Sequence, residues 1–267
     1  MSDLRALFPA EPHRFRVTLR RGEPAEFFRA QDDSGDLLRE RTHWLTQAPA
    51  RYARLRTEGE PLFEELRQTA AGWGMPPAGD LAALGRVWEP DILLLSRDEA
   101  GQFRLQGGVL CFPTSWALEE KMGRTLEDIH GVVPGLNPAI GASIRQLLAN
   151  LKPGPAFLRD NWGIAATAAL NLHPAQSCPR PALPLRLDHL WLRVEHQALV
   201  ALPRTRGLLF GIRIALHRLD HLQADEELRR GLGRALRSMS PALIEYKGLT
   251  GVRSSLVQAF DCGGLGA

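Results

Sequence analysis

A histidine closes a short amphipathic turn in GRTLEDIHGVVP, residues 123–134. Thr125 and Asp128 have capping-box spacing, in which hydroxyl and carboxylate each satisfy the other's backbone N–H. Leu126, Ile129 and His130 then fall at i, i+3 and i+4, on one face of the turn. The imidazole therefore points inward, where the two apolar side chains point. Two uses compete for such a group. One is a core histidine satisfied by backbone hydrogen bonds. The other is a neutral imidazole in an apolar pocket, the form in which histidine ligates haem iron.

Two further stretches carry groups able to do chemistry. FLRDNWGIAATAALNL (157–172) sets Arg159 and Asn161 at the start of a strand whose one face reads Asn161, Gly163, Ala165, Thr167 and Ala169. Small side chains there leave room either for a flat group close to the backbone or for a tightly packed helix. Farther on, Arg193, Glu195 and Gln197 alternate with Leu192 and Val194, and the following strand offers Arg213. A hairpin centred near Arg204 sets Glu195 opposite Arg213. On an exposed face that pair is worth little. Under helices, the same carboxylate is desolvated and oriented, and can bind an amine or move protons.

The elements that must position these groups follow from periodicity. HRFRVTLR (13–20) alternates as a strand. Residues 37–72 read as helix, broken by Pro49 and Pro61, and GWGMPPAGD (72–80) reads as a linker. Two runs, 91–97 and 103–112, form a hairpin across DEAG. The histidine turn comes next, followed by a helix expected to be capped by Asn137 with Pro138 at its first position, ending at KPGP. Strands at 161–172, 189–202 and 207–217 follow, then helices at 222–238 and 250–259. This is an α+β arrangement, with an antiparallel sheet whose helices are inserted after the second strand. PAS domains use it. Residues 1–80 read as an N-terminal strand and helical cap, and 81–260 as the main domain, together forming one compact unit.

Composition narrows the classes of function. The chain has 267 residues, 44% of them hydrophobic, enough for a sizeable core. Its formal charge of +3 comes from scattered arginines, with lysine only at Lys121, Lys152 and Lys247. No basic face of the kind nucleic acids require is visible, so no nucleic-acid partner is expected. Cys111, Cys178 and Cys262 stand far apart, which supports neither a zinc site nor covalent haem and suits a reducing compartment. The N-terminus lacks an apolar signal region and no stretch is long enough to span a membrane, so a cytoplasmic protein without membrane partners is expected.

The ordered set FPTSWALEEKMG (112–123), LEDIHGVVPG (126–135), RDNW (159–162), RVEHQALVALPRTRGLLFGIR (193–213) and EYKG (245–248) resembles the haem-dependent oxidative N-demethylase family. The resemblance covers about residues 88–250, with a looser echo in HWLTQAPARYARLR (43–56). It implies a PAS-like fold around a non-covalent haem b, fed with electrons by a separate flavin or iron–sulfur reductase. The implied reaction uses O2 to remove a methyl group, as formaldehyde, from a small secondary amine of the dimethylamine type. By the same resemblance His130 is the axial ligand and Arg159 and Asn161 line the pocket around haem and substrate. Glu195 matches the acid of the RVERQ-type motif. Arg124 and Arg145 lie near enough in sequence to meet the propionates, and Gly163 leaves room for the cofactor. The chain departs from the family pattern in the HGVVP turn, where Val132 or Val133 replaces a proline, at His196 for arginine, and at Thr205 for serine. His196 lies on the face opposite Glu195 and is read as structural. Two other readings share the fold: a haem sensor or interaction module without turnover, and a scaffold that has lost haem. No output domain follows residue 260, where only the tail DCGGLGA continues, and this favours an enzyme or one of its subunits.

Overall fold

The computed structural model describes residues 3–261 of the chain. Alternating apolar runs give seven strands: β1 (Arg20–Gly22), β2 (Ala53–Leu55), β3 (Asp91–Arg97), β4 (Phe103–Val109), β5 (Ala156–Ala165), β6 (Trp191–Leu202) and β7 (Gly207–Arg218). They form one sheet in the order β1-β5-β6-β7-β3-β4-β2, antiparallel at every junction. Helices fill the connection from β4 to β5, chiefly Leu126–Gly131 and Leu136–Ala149, as the order of elements predicts. The fold is α+β.

Both faces of the sheet are covered, so the central strands read as nearly continuous apolar runs. On one face Leu93, Leu95, Leu199, Leu208 and Ile212 pack with Leu126, Ile129, Ile144 and Leu148 from the inserted helices. The opposite face is shared. Ile92, Leu94, Ala198, Val200 and Leu209 meet Phe28, Leu45, Leu62 and Leu66 from the N-terminal helices. Trp162, Ile164, Leu192 and Val194 meet Leu228, Leu232, Leu236 and Leu256 from the C-terminal ones. Helix starts follow ordinary capping rules: the Asp80 carboxylate accepts from the Ala83 N–H (2.7 Å) and that of Asp225 from the Leu228 N–H (3.0 Å). Residues 72–80 are tied to the same core, since Met75 is buried and Trp88 donates its indole N–H to the Pro76 carbonyl at 3.1 Å.

Several local readings shift. Of the 13–20 stretch only Arg20 enters a ladder, which continues through Gly22 against β5. Before it Phe15 and Leu19 pack into different clusters, so this segment does not follow the open edge of β5. The helical region 37–72 is interrupted by β2, which completes the far edge beside β4. The helix Leu136–Ala149 is entered through Gly135 in the left-handed region (φ 77°), not through Asn137. Asn137 instead donates to the Glu127 carbonyl at 2.9 Å. Pro138 is tolerated one turn in because first-turn N–H groups have no helical acceptor. β5 begins five residues early and stops at Ala165, because its partner β6 begins opposite at Trp191; Thr167 and Ala169 leave the sheet.

The hairpin register differs by one residue from expectation. Leu202 pairs with Gly207 around a four-residue turn, so Glu195 faces Ile214 and Arg213 faces His196. Because side chains alternate, a one-residue slip sends a group to the other face of the sheet. Arg213 accordingly lies on the face away from Glu195, bound to Glu89 at 2.6 Å.

Candidate active site

The register of β5 on β6 pairs Arg159 with Gln197, Asn161 with Glu195, and Gly163 with Arg193. All six therefore project from the face covered by the inserted helices. Glu195, only 9% exposed, is the centre of this row. Its Oε1 accepts from the Thr114 hydroxyl at 2.5 Å. Its Oε2 accepts from Asn161 Nδ2 at 3.2 Å and from Gln197 Nε2 at 2.8 Å. Among the described residues the carboxylate forms no ion pair; every direct partner is a neutral donor. Arg193, buried beside it, spends its guanidinium on the Phe112 carbonyl (2.8 Å), the Leu170 carbonyl (2.7 Å) and the Thr114 hydroxyl (2.9 Å). Burial lowers the pKa of Arg193 to about 10, against the pull of Glu195 and Asp91.

His130 sits where its helix directs it. Thr125 and Asp128 make both bonds of the capping box, and the helix runs Leu126–Gly131. Burial, and then the charge of Arg159, lower the imidazole pKa to about 4, so the ring is neutral at physiological pH. Neither ring nitrogen has a hydrogen-bond partner among the described residues. The ring lines a cavity of about 280 Å³ with Phe103, Leu126, Ile144 and Leu148, and with Arg97 and Arg145. Arg159 lies within electrostatic reach of both His130 and Glu195, and donates no hydrogen bond to a described residue. Burial lowers its pKa, opposed by Glu195 and Asp160.

The structure thus groups Arg159, Asn161, Gly163 and Glu195 on one face of β5 and β6, while His130 lines the cavity and is linked to this row through the charge of Arg159. Arg145 shares the cavity wall with His130, holding Glu127 at 3.2 Å. Arg124 is exposed at the start of the helix that ends in His130, away from the cavity lining. His196 lies on the other face, its Nδ1 2.6 Å from Asp160. Thr205 uses its hydroxyl, as a serine would, to bind Glu65 at 2.5 Å.

Two site residues carried only a weak sequence signal. Thr114 stands inside FPTSW, where a threonine beside proline reads as a turn residue. Lys247 of EYKG reaches back to β5, donating to the Trp162 carbonyl at 2.7 Å and lying 5.0 Å from the centre of its ring. Burial lowers its pKa to about 8, with Glu195 drawing it back up. Of the cysteines, Cys111 is buried with its thiol pushed up to about 12, Cys178 is half-buried, and Cys262 lies outside the described residues.

The donor set suits a macrocycle-bound iron. No three His, Cys, Asp or Glu side chains converge on a metal position among the described residues. A single neutral imidazole, on a cavity that mixes apolar side chains with Arg97 and Arg145, accords with a haem-iron ligand. A Cβ added to Gly163 meets nothing within 4 Å, so open space lies over that strand position. Fold and site together define an α+β protein with a caged carboxylate on its sheet and a neutral imidazole lining a cavity beside it. The chain belongs to the haem-dependent oxidative N-demethylase, alpha subunit-like family, matching it over residues 11–257. The match reaches well upstream of the motif set and takes in the N-terminal helices. No helix among the described residues is long and apolar enough to cross a membrane.

Proposed function

We propose that the chain is a haem-dependent oxygenase subunit that demethylates a small secondary amine. The observation that carries this reading is Glu195, a buried carboxylate bonded only to neutral donors, on the face shared with Arg159, whose charge also acts on His130. A desolvated anion without a contacting cation is complementary to an alkylammonium. His130 would hold the iron of a non-covalent haem b through its imidazole. Gly163 gives the cofactor room, and Arg145, at the wall of the His130 cavity, is placed to meet a propionate, whereas Arg124 lies away from that wall. When bound, the haem supplies O2 activation. The overall change consumes the amine N–CH3, O2, two electrons and two protons, and yields the N–H amine, formaldehyde and water. The electrons come from a separate flavin or iron–sulfur reductase, consistent with a family defined by an alpha subunit.

The chain's own groups divide the work. Glu195 accepts an N–H of the amine, and Asn161 and Gln197 keep its second oxygen turned away from the ligand. Arg159, free of other bonds, directs its guanidinium toward charge developing between amine and cofactor. Support for a PAS-like fold is the order β5-β6-β7-β3-β4 of the five longer strands, with the helices inserted after β4. A cytoplasmic setting accords with the isolated cysteines. A sensor would need the haem pocket alone, whereas the Glu195 cage is extra construction.

The test is optical. Purified protein should show a Soret band that shifts on titration with dimethylamine. His130→Ala should be soluble and lose the band, or show it clearly displaced. A merely structural histidine would cost about 1–3 kcal/mol and leave the spectrum unchanged. A His130→Ala protein with a wild-type Soret band overturns the ligand role, and a wild type that takes up no haem overturns the enzyme reading.

A further inference from the structure

Thr114 occupies an unusual position. Its hydroxyl lies between Arg193 Nε at 2.9 Å and Glu195 Oε1 at 2.5 Å. A guanidinium can only donate, so the Thr114 oxygen accepts from Arg193 and its single proton is committed to Glu195. The main chain around it is held from both sides. Asp91, 1% exposed, accepts the N–H groups of Cys111 (2.7 Å) and Phe112 (2.9 Å), and is itself held by buried Arg41 at 2.6 Å. Arg193 takes the Phe112 carbonyl, while Leu172 binds Pro113 and Ser115 through its main chain at 3.1 Å each. Ser115 is left in the left-handed region (φ 59°), a conformation that non-glycine residues hold only where their surroundings enforce it.

We infer that Thr114 is the positioning residue for Glu195, and that by filling one place on Oε1 it leaves the carboxylate a single acceptor place for ligand, so that the site takes ammonium ions bearing an N–H and rejects quaternary ones. A carboxylate has about four acceptor places. Asn161 and Gln197 fill the two on Oε2, and Thr114 fills one on Oε1. One N–H of a secondary or tertiary ammonium completes the set. A quaternary ammonium brings the same charge but no donor, and would leave that place unfilled in a desolvated site. The inference rests on the reading of Glu195 as the amine-binding carboxylate.

The experiment is spectral titration of the haem-loaded protein with dimethylamine and with tetramethylammonium, using wild type, Thr114→Val, Thr114→Ser and Glu195→Gln. Thr114→Val should weaken dimethylamine binding about ten- to a hundredfold with unchanged Soret intensity, and Thr114→Ser should bind within about threefold of wild type. Wild type should bind tetramethylammonium at least about tenfold more weakly than dimethylamine. If Thr114→Val does not fold, Thr114→Ala removes the same hydroxyl and is judged by the same numbers. Wild-type affinity in the hydroxyl-less variant alongside weak binding by Glu195→Gln overturns the positioning role and leaves the amine site standing. Wild-type affinity in Glu195→Gln overturns both. A Thr114→Ser protein as weak as Thr114→Val, or equal affinity for the two ammonium ions, overturns the inference alone.

Discussion

Strands β5, β6 and β7 carry charged groups on both faces of the sheet, and the two sets are satisfied in opposite ways. On the face toward the terminal helices, opposite charges touch. Asp160 binds His196 at 2.6 Å and Arg20 at 2.9 Å. Glu89 binds Arg213 at 2.6 Å and also accepts the Gln31 and Asp32 N–H groups. On the other face Glu195 touches only a hydroxyl and two amides, although arginines and a lysine lie near enough to feel its charge. Ion-paired groups of the first kind are complete, and removing one partner strands the other. A carboxylate of the second kind is oriented and desolvated but still lacks a contacting cation. The difference separates charges that hold the fold from a charge held ready for a ligand.

The largest effect on stability should come from the paired face. Glu89→Ala deletes the partner of Arg213 and the acceptor of two backbone N–H groups, and should cost about 3 kcal/mol in denaturant unfolding. Amine affinity should stay at the wild-type value. A variant that loses affinity as much as stability would erase the contrast between the faces.

Glu195→Gln should show the reverse. Amine binding should weaken about tenfold or more, while stability changes by no more than about 1 kcal/mol, since a desolvated charge leaves together with its bonds. Urea unfolding beside the spectral titration checks both halves. A loss of stability matching that of Glu89→Ala would place Glu195 among the structural charges.

Lys247 sharpens the comparison through pH. Its folded pKa of about 8 lies below the ordinary 10.5 because burial disfavours the cation. Between those values the unfolded chain binds more protons, so this group makes wild-type stability rise as pH increases from about 8 to about 10.5. Lys247→Met should lack that rise. The gap between the two proteins should move in favour of wild type by on the order of 2 kcal/mol across the window. Melting curves at pH 7.5 and pH 10 test it, and parallel shifts in both proteins would mean that the lysine is solvated.

The smallest effect is expected at Arg145. Its pair with Glu127 joins side chains that are 58% and 49% exposed. Arg145→Ala should alter stability by less than about 0.5 kcal/mol. A larger loss in thermal unfolding would show that the cavity wall depends on this bridge.

Much of the site was legible because it is written in local patterns. The capping box and the i, i+3, i+4 face of Leu126, Ile129 and His130 involve only six consecutive residues, so the inward imidazole needs no tertiary information. The alternation that places Arg193, Glu195 and Gln197 on one face is equally local. The hairpin register was not legible, since PRTR admits turns that differ by one residue, and pairing Leu202 with Gly207 is decided by packing on both faces. The extended 13–19 segment shows the same limit: its alternation specifies extended backbone, but Phe15 and Leu19 pack into different clusters and the segment forms no ladder.

By itself, then, the sequence determined which groups could do chemistry, the faces on which they stand within their own elements, and the inward-facing histidine of a capped turn. The tertiary structure alone decided who meets Glu195. Thr114 is 81 residues away along the chain and Asn161 is 34. Their convergence depends on strand pairing and on the turn held by Asp91 and Arg193. Periodicity reports only on neighbours a few residues apart, whereas a buried charge is defined by everything that surrounds it.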